Sequence, residues 1–201
     1  MTEKERMLSG KLYMASDPEL KAARLRARRL TRLYNATRED QADERTGLLR
    51  ELLGGVGEDC VIEPTFRVDY GGNIEIGDHF YANFDCIILD VAQVHIGSHV
   101  FFGPRVCVYT AGHPIDAGIR NTGLEYGKQV QIGSDVWIGG NTVVAPGVTI
   151  GDNVVIGAGS VVTKDIPGGV IAAGAPCRVI REIGPEDRAR WQAQADEYYR
   201  L

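Results

Sequence analysis

The sequence predicts a mainly β chain, folded as a parallel β-helix with helices near both ends, and three observations support this. Apolar residues recur every six positions through the middle of the chain. Glycine accounts for 25 of the 201 residues, about twice the ordinary share, and most of it follows residue 54. Helical patterns occur only near the two ends. A period of six fits neither the helical period of about 3.6 nor the strand period of about 2, and fixed short periods are typical of solenoids.

The longest uninterrupted repeat covers residues 130–162. Each hexad is expected to form a short strand with one inward apolar side chain, and three hexads would complete one triangular coil. Gly, Asn and Asp at the corners tolerate the backbone angles that tight turns require. The predicted inward residues are Ile76, Ala82, Ile88, Ile96, Phe102 and Val108, then Ile132, Ile138, Val144, Ile150, Ile156 and Val162.

Two helices are predicted before the repeat. The first covers residues 16–34, where Asp17 suits the N-cap and Pro18 suits the first helical position. Apolar residues then follow at helical spacing. A weaker helix is predicted from about residue 39 to residue 53, and it ends at a pair of glycines.

A third helix is predicted after the repeat. Gly184 and Pro185 open it, and Trp191, Ala195 and Tyr198 share one face, which predicts a helix that packs on the body. The chain is therefore expected to comprise an N-terminal helical segment at 1–55, a β-helix at 56–183 with an extruded loop at 111–129, and a C-terminal helix at 184–201.

The extruded loop is the one long interruption of the repeat. Residues 111–129 have no inward apolar ladder, although hexads continue on both sides. Loops held by a rigid scaffold often carry reactive groups. This one contains His113 beside the stiff Pro114, and an imidazole titrates near neutral pH. A turn histidine without chemistry is the alternative interpretation.

Composition argues against several classes of protein. The net charge of −5 provides no basic excess for binding nucleic acid. No apolar run is long enough to span a bilayer, and the N-terminus lacks a signal-peptide core, so a cytoplasmic location is expected. The four cysteines form no C-x-x-C pair, which argues against a zinc knuckle or a redox motif. They are Cys60, Cys86, Cys107 and Cys177, expected to be reduced. Cys86 and Cys107 fall in the apolar repeat and are expected to be small core residues rather than nucleophiles.

Four segments together resemble a known family. They are "YANFD" from Tyr81, "TAGHP" around His113, "GAGSVVTKDIP" from Gly157 and "AAGAPCRVI" from Ala172. They are similar to the maltose, galactoside and nodulation-factor O-acetyltransferases, most closely the maltose enzymes, over nearly the whole chain. The resemblance implies a left-handed β-helix, a homotrimer that needs no metal, and acetyl transfer from acetyl-CoA to a hydroxyl of a sugar such as maltose, glucose or a galactoside.

The resemblance also implies roles for individual residues. His113 matches a general base that deprotonates the sugar hydroxyl, and Gly140 matches a main-chain N–H donor to the thioester oxyanion. The acceptor-binding candidates are Asp69, Tyr81, Asn83 and Asp17. The candidates for binding CoA are Gly140, Ala158, Thr163, Lys164, Arg178, Arg181 and Trp137.

Two departures from the galactoside enzymes concern the acceptor. Those enzymes carry two consecutive acids where this chain has Asp90 followed by Val91. Their N-terminal acid aligns with Ala15, and Asp17 lies two residues further on, where helix capping is the alternative role. The identity of the acceptor sugar therefore stays open.

Two other functions are compatible with a β-helix. A γ-type carbonic anhydrase would hold zinc by histidines from neighbouring coils, and this chain could supply His79, His95, His99 and His113. That interpretation leaves the CoA-like segment near the C-terminus unexplained. A non-catalytic trimeric scaffold is the other alternative, against which the retained His113 argues.

Overall fold

The computed structural model describes residues 1–200, which contain twenty short strands and five helices. The helices are α1 (Glu3–Leu8), α2 (Pro18–Asn35), α3 (Ala42–Leu52), α4 (Ala117–Arg120) and α5 (Pro185–Tyr198). The first ten strands are β1 (Tyr13–Met14), β2 (Gly55–Val56), β3 (Val61–Ile62), β4 (Arg67–Val68), β5 (Ile74–Ile76), β6 (Tyr81–Ala82), β7 (Ile87–Leu89), β8 (Val94–Ile96), β9 (Phe101–Phe102) and β10 (Cys107–Tyr109). The others are β11 (Ala111–Gly112), β12 (Leu124–Gly127), β13 (Val130–Ile132), β14 (Trp137–Ile138), β15 (Val143–Val144), β16 (Thr149–Ile150), β17 (Val155–Ile156), β18 (Val161–Val162), β19 (Val170–Gly174) and β20 (Cys177–Glu182).

Three sheets wind around one core to make a parallel β-solenoid. Sheet I contains β2, β5, β8, β13 and β16; sheet II contains β3, β6, β9, β14, β17, β19 and β20; sheet III contains β4, β7, β10, β15 and β18. Only β20 runs antiparallel to its neighbour within these sheets. The predicted six-residue period is confirmed, because every predicted inward residue is at most 5% exposed.

The solenoid has three corners, of which two carry most of the candidate functional residues. The corner between sheets II and III is called the glycine corner and contains Gly103, Gly139 to Gly140, and Gly157 to Ala158. The corner between sheets III and I is called the loop corner and contains Asp69, Asp90 and Thr110, followed by residues 111–129. The core fills the prism between them.

Residues 111–129 are more ordered than the expected loop. They form β11, α4 and β12, and β11 pairs with β12 as an antiparallel hairpin. The N-terminal strand β1 pairs with the other edge of β12. The expectation of a simple loop is corrected, because a segment far away in sequence supplies its third strand.

The N-terminal helices cover one end of the prism. Leu20, Ala27, Leu30 and Tyr34 form the buried face of α2, as the spacing predicts. Tyr34 donates its hydroxyl hydrogen to the carbonyl of Ile62 in the first coil. Both predicted helices are present, although α2 begins two residues later and α3 is shorter at both ends.

The C-terminal helix α5 does not pack as predicted. It has no buried residue, and Trp191 and Tyr198 are 61% and 71% exposed. A bidentate ion pair, with both Arg181–Asp187 distances at 2.7 Å, joins the helix to β20. The prediction of a packing face is therefore wrong within the described chain. None of the helices of residues 1–200 is both long and apolar enough to cross a membrane.

Candidate active site

The glycine corner presents a main-chain N–H group with no competing acceptor. Gly139 and Asn141 donate their N–H groups to Ile156 and Pro104, each at 2.8 Å. The N–H of Gly140, between them, donates to no group of residues 1–200. A Cβ at this position would lie 2.9 Å from the carbonyl oxygen of Pro104. Glycine therefore keeps the backbone close to the preceding coil and leaves one donor available.

An aromatic row lies beside this corner on the outer face of sheet II. Tyr81, Phe101 and Trp137 stand in register on β6, β9 and β14, and they line a groove of about 450 Å³ together with Asn83 and Gly103. The Asn83 side-chain oxygen accepts the N–H of Phe84 at 2.7 Å, which leaves its amide NH₂ free of described partners. The structure thus brings two acceptor candidates together with one CoA candidate.

Phe101 is a groove residue that sequence reasoning missed. It directly precedes the inward Phe102, just as Tyr81 precedes Ala82. The hexad register alone therefore placed Phe101 on the same outer row, and this signal was available in the sequence.

The predicted CoA segment near the C-terminus lies in the last coils of the solenoid, between β17 and the end of β20. Ala158, Thr163 and Lys164 are exposed. Arg178 donates from Nη1 to the carbonyl of Cys177 at 2.7 Å, and its other donors are free of described partners. The Arg181 guanidinium is already bound by Asp187 on α5. Lys164 and Arg178 are thus the more available cations.

The catalytic candidate His113 lies on the other functional corner. It follows β11 in the loop corner and is exposed. The groove that contains Asn83 is lined without it. Within one chain, the structure therefore does not bring His113 together with Asn83 and Gly140.

Asp69 is positioned in the loop corner by the buried Asp90. Asp90 is 0% exposed, and its carboxylate accepts the N–H groups of Asp69, Tyr70 and Asn73 at 3.0, 2.9 and 3.3 Å. Burial raises the pKa of Asp90 to about 7, although the backbone donors act in the opposite direction. Asp90 is therefore a structural clamp under Asp69, a role that its place after "IIL" did not indicate.

The N-terminal candidate Asp17 has the capping role. Its Oδ1 accepts the N–H groups of Glu19 and Leu20 at 2.9 and 3.3 Å. The aligned Ala15 contributes a carbonyl that accepts a hydrogen bond from Arg24 at 2.5 Å. Val91 is buried with Tyr13 and Tyr70 in a second, smaller core. An acceptor contact by Asp17 stays a prediction.

The cysteines differ in burial. Cys86 is 1% exposed, and burial raises the pKa of its thiol to about 11, which disfavours the nucleophilic thiolate. Cys107 was expected to be a core residue, but it is half-buried on the outer face of β10. The correction follows from its register, because the neighbouring Val108 takes the inward position.

The four histidines are distributed over different parts of the prism. The His79 and His99 rings stack at 4.7 Å between centroids. On sheet I, the Nδ1 atom of His95 lies 3.1 Å from the Oε2 atom of Glu75. His113 is on the extruded loop. In residues 1–200, no three His, Cys, Asp or Glu side chains form a group that could hold a metal ion.

Two family models match the chain. Residues 6–57 match the maltose acetyltransferase hexapeptide capping motif, and residues 129–164 match the bacterial transferase hexapeptide of six repeats. The first match runs from the last turn of α1 to β2, and the second runs from β13 to β18, directly after the loop. The nodulation protein L of Rhizobium meliloti strain 1021 is 52% identical over 178 residues, which cover 89% of this chain and 97% of that protein.

Solved structures of similar sequence share the fold. A maltose O-acetyltransferase from Clostridium difficile 630 is 56% identical with a TM-score of 0.91, over 92% of this chain and 98% of that one. A galactoside acetyltransferase in complex with coenzyme A is 45% identical with a TM-score of 0.91, over 94% of both chains. The fold is therefore the left-handed parallel β-helix of these enzymes.

Proposed function

Because this chain belongs to the hexapeptide-repeat family of maltose and galactoside acetyltransferases and is an acyltransferase, we propose that it transfers the acetyl group of acetyl-CoA to a sugar hydroxyl. The observation that carries the proposal is the glycine corner, where the unpaired Gly140 N–H lies beside the groove of Tyr81, Asn83 and Trp137. Maltose, glucose and galactosides are the acceptors to test first.

The proposed reaction proceeds in a ternary complex. The imidazole of His113 accepts the proton of the sugar hydroxyl, and the oxygen attacks the thioester carbonyl carbon. The Gly140 N–H stabilises the negative charge that develops on the carbonyl oxygen. When the C–S bond breaks, the imidazolium returns its proton to the CoA sulfur. No acyl-enzyme is needed, which agrees with the high pKa of the Cys86 thiol.

CoA is proposed to lie along the glycine corner. Successive coils stack closely at this corner, since a Cβ on Gly139 would lie 2.5 Å from the Ala158 nitrogen. Small residues at this edge leave room for the pantetheine arm, and Trp137 can pack against it. Thr163, Lys164, Arg178 and Arg181 are the proposed partners of the phosphates, since phosphate favours cationic donors.

The complete site is proposed to form between subunits of a homotrimer. On sheet I the outward row is polar, with Glu75, His95, Gln131 and Thr149 in register. From β7 to β18 the outward row of sheet III is apolar, although it begins with Arg67 on β4, and contiguous apolar surface often marks an interface. Its apolar members are Ile87, Cys107, Val143 and Val161.

Sheet III also joins the two functional corners. A cyclic trimer packed through sheet III would place the loop corner of one subunit against the glycine corner of the next. His113 of one chain would then face Gly140 and Asn83 of its neighbour. The trimer would therefore bring together the base and the donor residues that a single chain keeps apart.

The function is tested by measuring thiol release from acetyl-CoA with maltose, glucose and a galactoside, with product masses as confirmation. A mass increase of one acetyl group on a sugar supports the proposal. Failure of all sugars under conditions in which CoA binds would contradict it. A parallel assay of bicarbonate dehydration with added zinc tests the carbonic anhydrase alternative, for which activity without thiol release would be decisive.

A further inference from the structure

The solvent side of helix α2 is strongly cationic. The helix contains five arginines and one lysine against a single acid, Glu19. Its outward residues are exposed and follow one another at intervals of three or four, which places them in one band along the helix. This band is called the cationic ridge and consists of Lys21, Leu25, Arg28, Arg29, Arg32 and Leu33.

The acids around α2 are paired with other cations. Glu19 pairs with Lys4 of α1 at 3.3 Å, and Glu51 of α3 pairs with Arg26 at 3.8 Å. The four cations of the ridge form no salt bridge or side-chain hydrogen bond within residues 1–200. The ridge is therefore positive on a chain whose net charge is −5, and at physiological salt the repulsion of an anionic partner by distant acids is screened beyond about 8 Å.

Two leucines lie among these cations. Leu25 and Leu33 are 66% and 48% exposed, although the opposite face of the same helix is buried against the solenoid. Guanidinium groups bind phosphate oxygens in pairs, and leucine side chains gain free energy when they leave water. An occupant that satisfies both presents phosphates above an apolar layer, as the headgroup region of an anionic bilayer does.

Other anions fit the ridge less well. Lys21 and Arg32 are eleven residues apart, about 16 Å along a helix, so a small anion would reach only part of the ridge. A nucleic acid would supply phosphates but would leave the leucines in water, and the ridge has no aromatic side chain on which a base could stack.

The assembly proposed above would strengthen contact with a flat surface. In a cyclic trimer whose prisms stand side by side, the rotation axis brings the three N-terminal ends to the same side. The three ridges would then face one plane, and contacts that are weak singly would add up through avidity.

We propose that the cationic ridge docks the protein on the surface of a membrane that contains anionic phospholipids, with Leu25 and Leu33 at the boundary between headgroups and acyl chains. The contact is peripheral and reversible. The inference goes beyond acetyl transfer and does not depend on it, because binding is measured without any acceptor or CoA.

The first test is cosedimentation with vesicles of phosphatidylglycerol and phosphatidylcholine in equal amounts, and with vesicles of phosphatidylcholine alone. The wild type should bind only the anionic vesicles. Lys21→Gln combined with Arg29→Gln should weaken that binding by at least about 25-fold, at about fivefold for each cation near an anionic surface. Arg28 and Arg32 stay unchanged because they also line a groove of about 770 Å³ that reaches Asp69.

The matched control carries the same loss of charge on α5, at the other end of the solenoid. Arg188→Gln combined with Arg190→Gln should change vesicle binding by less than about twofold, because these exposed cations lie outside the ridge. Both double variants alter only exposed side chains, so their Tm values should match that of the wild type. A wild type that ignores anionic vesicles, binds both vesicle types equally, or loses as much binding in the α5 control would overturn the inference.

The second test separates a bilayer from a soluble polyanion. Leu25→Ser combined with Leu33→Ser should weaken binding to the anionic vesicles by about fivefold, because apolar area no longer enters the headgroup boundary. Vesicle binding that does not respond to the leucines, or tighter binding to a DNA duplex or to polyglutamate than to the vesicles, would assign the ridge to a polyanion and overturn the proposal.

Discussion

The two functional corners of the prism are built by opposite means. The glycine corner keeps the six-residue repeat and presents backbone groups instead of side chains. A Cβ added to Gly139 or Gly157 would collide with the next coil. The loop corner breaks the repeat by the inserted residues 111–129 and offers side chains. Its hairpin takes a third strand from the N-terminus. The repeat thus provides the backbone edge proposed to bind CoA, and the interruption carries His113, the proposed base.

Because of this difference, the two corners are expected to tolerate different amino-acid substitutions. Packing fixes the residue type at the glycine corner, because a close approach of backbone leaves no room for a side chain. The loop corner depends on polar contacts such as those of Asp90 with Asp69 and Tyr70. Substitutions there are expected to alter chemistry or pH dependence while the solenoid persists.

The largest expected effect separates the chemistry of the loop corner from binding at the glycine corner. His113→Ala should lower kcat by about 100-fold or more, the scale of a lost general base. CoA affinity, measured by calorimetry, should change by less than about threefold, because no proposed CoA contact is removed. Unchanged turnover would remove the proposed base from the mechanism.

Sequence alone predicted the regular part of the molecule well, because a strict period leaves one choice of inward residues. Ile138, Val144 and Ile156 are buried as the hexads require. The hairpin with β1 could not be predicted, since Tyr13 and Glu125 are far apart in sequence and neither has a local pairing signal.

The residues of the candidate site also divide into those that the sequence pattern predicts and those that it does not. The register placed Tyr81 and Trp137 on one outer row, and it would have added Phe101. The clamp by Asp90 and the exposure of Trp191 depend on tertiary packing, which a one-dimensional pattern does not contain. Family resemblance supplied the roles of His113 and Gly140, and those roles remain predictions.

A second test sharpens the view of the glycine corner as a CoA channel. Replacing Lys164, Arg178 and Arg181 together by Gln should weaken CoA by about tenfold or more and dephospho-CoA by less, because the cations are assigned to phosphates. Arg181→Gln alone should have the smallest single effect, since Asp187 already binds that guanidinium. Equal losses for CoA and dephospho-CoA would assign the cations another task.

A third test asks whether the two corners meet across a subunit boundary. His113→Ala chains and Ala158→Trp chains should each be inactive alone, because one lacks the base and the other blocks the channel. Refolded together in equal amounts, they should recover roughly a quarter of wild-type activity. Three quarters of random trimers are mixed, and each mixed ring has one intact junction of three. Mixtures that exchange subunits but stay inactive would place both corners in one chain.

The smallest expected effect concerns the clamp under the loop corner. Burial raises the folded pKa of Asp90 to about 7, above the unfolded value of about 3.9. Between these values the folded chain holds a proton that the unfolded chain has lost, so this group lowers stability as pH rises from about 4 to 7.

Asp90→Asn removes that titration but leaves a poorer acceptor for the three backbone N–H groups. It should therefore unfold at a lower temperature than the wild type at pH 5, and the gap should narrow at pH 8, by about 3 kcal/mol at most for a shift of this size. Comparing the Tm of the two proteins at both pH values cancels the other titrating groups. A gap that is constant or wider at pH 8 would mean that Asp90 is ionised throughout this range, with the backbone donors outweighing burial.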